Sequence, residues 1–206
     1  MLDRVPGRTW RRRVFRLTRE LRMESELARH GLNEAARADI AAALTGLGYA
    51  TDERALLDTP FRRKRQRWAT RFSDGSFPVF YSSLDAETAQ AEVRHWGPSV
   101  LAKPSQPRTA YYRLFHCMFH GVAKDPRPCR EAWADLVHKT DYAFCNRIGA
   151  EAIQLGLDGL VTWSARRPEG ANLPVFSRAS LRDSVAEELM ALTYEPADRS
   201  VSLRPV

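Results

Sequence analysis

The chain has 206 residues, 44% of them hydrophobic, and a formal net charge of +7. This is one ordinary domain, or one domain with an extension, and it carries enough apolar surface to exclude wholesale disorder. No apolar run approaches the length that spans a bilayer. The basic balance, with a pI of about 9.7, favours phosphorylated or polyanionic partners without choosing among nucleic acid, a dinucleotide, a membrane surface and an acidic protein.

Cys117, Cys129 and Cys145 are odd in number and form no CxxC pair. That argues against a disulfide framework or structural zinc and fits a reducing cytoplasm. The first residues are arginine-rich but lack the continuous apolar segment of a signal peptide.

In chain order, residues 1–23 hold eight arginines interrupted by Val14, Phe15 and Leu17, and read as a short strand or helix. Residues 24–47 carry apolar positions at helical spacing, with Gly31 as a break and Asn33 as a cap for the second half. Residues 52–70 are polar and basic and read as a loop. Ser73-Asp-Gly-Ser76 is a turn signal. Phe77–Ser82 reads as a strand, and Asp85 as the N-cap of a helix from Ala86 to about Trp96. Prolines 98, 104 and 107 mark a loop. Thr109–Val122 reads as a strand, 130–138 and 141–155 as helices, and 155–159 as a helix-to-strand turn. Leu160–Ser164 and Leu173–Phe176 read as short strands, and 180–193 as a closing helix. Strands and helices mix without a βαβ rhythm, which favours α+β over a doubly wound sheet.

Three features bear on chemistry. The 86–96 helix has an apolar stripe of Ala86, Ala89, Val93 and Trp96, and Glu92 flanks it. A carboxylate at the edge of a buried face is costly unless it reaches water, pairs with an arginine or has a function; the spacing leaves these open. Tyr81, at the end of the preceding strand, is either a core aromatic with its hydroxyl at the rim or a platform for a flat heterocycle. Upstream, Arg62, Arg63, Lys64, Arg65, Arg67 and Arg71 offer guanidinium forks for phosphate, or form a solvated face. Arg71 differs from the rest because it adjoins Phe72 and the turn into the strand.

The segment from Arg71-Phe through the Gly75 turn to Tyr81, followed by Thr88-Ala-Gln-Ala-Glu92, resembles the signature of the RES-domain family. Asp141-Tyr142 and its helix, Asp158-Gly-Leu-Val-Thr-Trp-Ser164 and Asn172-Leu-Pro-Val-Phe176 resemble the family's later pieces in the same order. The likeness spans roughly residues 60–180, and the family's Arg, Glu and Ser match Arg71, Glu92 and Ser164. The chain departs at Asn146, where Gln is common, and at Trp163, where Tyr is common. The family's upstream arginine best matches Arg62, with Arg16 as the weaker candidate.

The resemblance implies an ADP-ribosyltransferase-like α+β fold: a small mixed or antiparallel sheet core with flanking helices. It implies an NAD-binding domain over 56–206, and the helical spacing upstream of it makes 1–55 an N-terminal helical extension. It further implies a toxin of a type II toxin–antitoxin system that cleaves NAD at the nicotinamide–ribose bond. Glu92 would stabilise the ribose cation, Arg71 and Arg62 would hold the pyrophosphate, Tyr81 would pack on nicotinamide or its ribose, and Ser164 and Asn172 would bond the ligand. NAD is then substrate, no metal is needed, and the expected partner is a cognate antitoxin, Xre-like and DNA-binding, in a cytoplasmic complex that admits a homo-oligomer.

Two other readings compete. Arginines at 8–22 and 62–67, interleaved with Trp10, Phe15 and Trp68, suit a nucleic-acid-binding module. His116 and His120, four apart, have ligand spacing if helical, yet their apolar neighbours suit a buried strand and no third ligand lies nearby.

Overall fold

The computed structural model describes residues 1–20, 53–62, 68–100 and 108–206, together with the isolated positions 31, 33, 35, 36 and 39. Its elements are β1 (Gly7–Glu20), α1 (Glu53–Asp58), β2 (Phe80–Ser83), α2 (Ala86–Val100), β3 (Arg108–Lys124), α3 (Ala143–Gln154), β4 (Gly159–Leu160), β5 (Thr162–Trp163), β6 (Ala171–Val175), β7 (Leu181–Glu195) and β8 (Ser200–Pro205). The class is α+β, built on a mixed sheet of eight strands.

The sheet is organised around β3. Its buried residues, among them Tyr112, Leu114, Cys117 and Phe119, recur near the period of two that a pleated strand requires. β1 pairs with it antiparallel over the whole length, from Gly7 opposite Lys124 to Glu20 opposite Tyr111. β7 lies on its other edge, with irregularities between Arg113 and Phe115 and between His116 and Met118. β8 continues outward from β7. β4 joins the end of β3 in parallel, β6 pairs with β4, β5 and β2, and β2 meets β1 at the single pair Phe15–Ser83. The pairings therefore run in a closed circuit from β1 through β2, β6, β4 and β3 back to β1.

Trp10, Val14, Phe80, Phe115, Phe119, Leu173 and Val175 fill one core. A second forms where α3 covers Phe72, Trp133, Leu136 and Leu160. A third lies under α2, where Ala89 meets Leu17, Tyr112, Met190 and Leu192.

Several sequence expectations are corrected. Residues 180–193 are not a closing helix but the strand β7. Ala186 to Leu192 are mostly good helix formers, yet β3 and β8 supply hydrogen-bonding partners on both edges, and Met190 and Leu192 bury on one face. Tertiary pairing overrides propensity. The expected helical extension over 1–55 is wrong for residues 7–20, which are β1 and part of the sheet. The loop expected over 52–70 contains α1 and a 3₁₀ turn at Thr59–Phe61; Leu57 is buried in the core, and Phe61 stacks on Phe80 with centroids 6.4 Å apart. The strand expected from Phe77 begins at Phe80. The helix expected to stop near Trp96 runs through Pro98 to Val100.

Apart from positions 31, 33, 35, 36 and 39, the helix expected over 24–47 lies outside the described residues, as do the basic residues 63–67. Asn33 Oδ1 does accept from the Ala36 amide at 2.9 Å, as a cap does. His116 and His120 both lie on β3, where residues four apart stand about 13 Å from each other, too far to share an ion. His116 Nδ1 instead meets Glu187 Oε1 at 2.6 Å. Among the described residues no helix is long and apolar enough to cross a membrane.

Candidate functional site

β1 and β2 touch at one residue pair, and a cavity of about 470 Å³ opens beside that contact. Arg16 and Leu17 reach it from β1, Arg71 from the loop before β2, Tyr81 and Ser83 from β2, Glu92 and Trp96 from α2, and Tyr142 and Asn172 from the far side.

Helix α2 is aimed by its first turn. Asp85 Oδ1 accepts from the Thr88 amide at 2.7 Å, as expected of an N-cap. Arg167 Nη1 ties both residues to the loop after β5, at 3.1 Å to Asp85 Oδ1 and 3.1 Å to Thr88 Oγ1. One turn further along, Glu92 is half-buried. Its Oε1 accepts from Ser164 Oγ at 2.8 Å and from Asn172 Nδ2 at 2.7 Å.

The orientation of both donors is forced. Ser164 Oγ also accepts from the amides of Arg166 and Arg167, at 3.0 and 3.1 Å, so its one proton goes to the carboxylate. Asn172 Oδ1 accepts from Ser83 Oγ at 2.7 Å, which turns its amide nitrogen toward Glu92. Both donors converge on Oε1, and among the described residues Oε2 carries no hydrogen bond. A carboxylate with one oxygen anchored and the other facing a cavity can stabilise a developing cation or accept from a ligand hydroxyl.

Arg71 is held at both ends. Its Nη1 donates to Leu136 O and His138 O at 3.2 and 2.8 Å, and its guanidinium lies 4.4 Å from the Tyr142 ring centre. Asn146 Nδ2 donates to Thr70 O and Arg71 O, both at 2.7 Å. The Tyr81 hydroxyl accepts from the Phe72 amide at 2.9 Å and donates to Thr70 Oγ1 at 2.7 Å. Burial pushes that phenol up to about 12. Gly149 of α3 completes the seat: a Cβ there would stand 2.0 Å from Phe72 O.

Arg16 donates from Nη1 to Tyr81 O at 2.7 Å and lies 4.7 Å from the Phe80 ring centre. Burial lowers its guanidinium from 12.5 to about 10, which leaves it charged at neutral pH. Arg16 Nε and Arg71 Nη2 are both buried with no hydrogen-bond partner among the described residues. An orphaned buried donor costs about 1–3 kcal/mol. Two such donors from cavity-lining arginines make a place for an anion with more than one charged oxygen.

The structure thus brings together Arg71, Tyr81, Glu92, Ser164 and Asn172 from the sequence reading. Arg62 stays apart: it is exposed at the end of the 3₁₀ turn and does not line the cavity. The second arginine at the cavity is Arg16. The family likeness offers it as the weaker candidate, and its neighbours Phe15 and Leu17 are a further signal within the arginine run. Asn146 was visible only as a departure from the expected Gln; its role in seating Arg71 came from the packing of α3. Trp163 lies outside this cavity, beside Arg130.

A model of the RES domain matches residues 41–195. The chain belongs to the RES-domain family. Its fold is similar to that of a chain in the crystal structure of the M. tuberculosis MbcT–MbcA toxin–antitoxin complex, with a TM-score of 0.53 and 18% sequence identity over 88% of this chain and 86% of that one. A search of curated proteins found no match. The family match begins after β1, so Arg16 reaches the cavity from a strand outside the matched residues, held in place by β3.

Proposed function

We propose that this chain is an NAD-cleaving enzyme and the toxin of a toxin–antitoxin pair. The observation that carries the reading is the half-buried Glu92, anchored by Ser164 and Asn172, in a cavity where two arginines keep buried donors without acceptors.

In this reading the pyrophosphate of NAD lies against Arg16 and Arg71, and its oxygens supply the acceptors that their buried N–H groups lack. The ribose next to nicotinamide lies at Glu92. As the bond to nicotinamide breaks, the electron pair leaves with the ring and the ribose becomes oxocarbenium-like. Glu92 opposes that charge and grips a ribose hydroxyl through Oε2. Its negative charge was present before the reaction and its position is fixed, so little reorganisation is required. Ser164 is a positioning residue, its hydroxyl committed to Glu92 and the Arg166–Arg167 backbone. Asn172 positions Glu92 with one amide N–H and keeps a second N–H at the cavity for the ligand. Tyr81 offers its ring to the ligand, since its hydroxyl already holds the Arg71 loop. The ADP-ribosyl group passes to water, phosphate or a protein acceptor, and no metal enters.

The NAD-binding unit is residues 56–206 together with β1. A cognate antitoxin, Xre-like and DNA-binding, would hold the enzyme inactive in the cytoplasm, in a complex that admits more than one copy of this chain. The test is incubation of purified protein with NAD, with and without phosphate, while free nicotinamide is measured. Release proportional to enzyme supports cleavage; none under either condition refutes it.

A further inference from the structure

The mouth of the cavity carries aromatic surface that these roles do not use. Trp96 stands four residues beyond Glu92 on α2, so their side chains are neighbours on one helix face. It lines the cavity, yet 44% of its surface is exposed. The Tyr142 ring lies 6.2 Å from it at 63°, and the His95 ring 5.0 Å from it at 81°. The Arg166 guanidinium carbon is 5.8 Å from the indole centre. Arg166 Nη2 donates to Lys139 O at 3.0 Å, while its Nε is buried with no acceptor among the described residues.

We infer that Trp96 and Arg166 form a stacking clamp for a heteroaromatic base of a nucleotide at the mouth of the cavity. The placement of the ribose at Glu92 rests on the NAD reading above. An indole takes any flat base, because every base has a π face. A guanidinium beside the same ring adds cation–π attraction and brings an N–H to an acceptor on the base or its phosphate. Trp96 is close enough to Glu92 to meet a base carried by a ribose held there. A dinucleotide offers two such bases, adenine and nicotinamide, and both share this chemistry.

The experiment is calorimetric titration of the full chain with AMP, nicotinamide mononucleotide and ribose 5-phosphate, for wild type, Trp96→Ala and Trp96→Phe. Wild type is expected to bind at least one mononucleotide more tightly than ribose 5-phosphate. Trp96→Ala should weaken that mononucleotide by about 5- to 150-fold, the loss of one base–aromatic stack. Trp96→Phe should restore most of it, and ribose 5-phosphate should bind all three proteins alike. A loss confined to AMP assigns adenine to the clamp; a loss confined to nicotinamide mononucleotide assigns nicotinamide. Unchanged affinity of Trp96→Ala for both mononucleotides overturns the clamp. So does an equal loss for ribose 5-phosphate, or a wild type that prefers neither mononucleotide to it. Nicotinamide release from NAD, measured in parallel, separates the two ideas. Release with base affinity independent of Trp96 removes the clamp alone. Base affinity dependent on Trp96 without release removes the cleavage reaction and leaves the clamp standing.

Discussion

Replacing Gly149 with alanine should cost stability and activity together, although helix propensity alone favours the alanine by about 0.5–1 kcal/mol. A Cβ at position 149 would stand 2.0 Å from Phe72 O and 2.9 Å from its carbonyl carbon. Ordinary contact begins near 3.4 Å, so α3 and the loop must part by more than an ångström. The obstacle is backbone, which yields less than the end of a side chain, and this places the cost near the top of the ~1–3 kcal/mol range for overpacking. Net of propensity, about 2 kcal/mol is lost, equivalent to about 4–8 °C in Tm for a chain of this size. The same loop carries Arg71 and is bonded to Asn146, one turn away on α3. A displacement of about an ångström there should lower kcat/KM for NAD by about 10²-fold. Thermal melts and nicotinamide release measure the two effects. A Gly149→Ala variant that melts at or above wild type with full turnover would refute the seating of Arg71 by α3.

Arg16→Met should weaken ADP binding by about 10- to 100-fold, since charge-assisted hydrogen bonds contribute about 1.5–3 kcal/mol. Arg62→Ala should leave it unchanged; calorimetry giving the reverse pattern would return the role to Arg62. Tyr81→Phe strips the Phe72 amide of its acceptor and should cost about 1–3 kcal/mol at neutral pH. The folded chain keeps the Tyr81 proton up to about 12, whereas the unfolded chain gives it up near 10.0. The phenol's contribution is therefore complete below pH 10 and lost as pH rises toward 12. Denaturant melts of both proteins from pH 7 to 11 should show the gap narrowing at the alkaline end, and a constant gap would contradict the buried phenol.

Much of the site was legible in short-range chemistry. The Ser73–Ser76 turn, the Asp85 cap and Glu92 beside an apolar stripe are all decided within a few residues, and together they set the carboxylate at the cavity. Ser164 and Asn172 were named through the family likeness, but their convergence on one oxygen of Glu92 depends on β5 and β6 pairing far along the chain. What escaped was set by partners distant in sequence. β7 contains good helix formers and becomes a strand only because β3 and β8 flank it. Arg16 was only the weaker match to the family's upstream arginine, and it is the pairing of β1 with β3 that carries its guanidinium to Tyr81 O and the cavity. Nothing local marks Gly149 within its helix, and only the approach of Phe72 O shows why a side chain does not fit there.

The most direct measurement compares wild type and Glu92→Gln for nicotinamide release at saturating NAD, with ADP affinity measured on both. Glutamine keeps the size of the side chain and an oxygen for Ser164 and Asn172 to bond, but removes the charge that faces the ribose. The expected result is a fall in kcat of about 10²–10³-fold, the scale of one preorganised electrostatic contact, with ADP affinity unchanged. Equal nicotinamide release by the two proteins would contradict the central role assigned to Glu92.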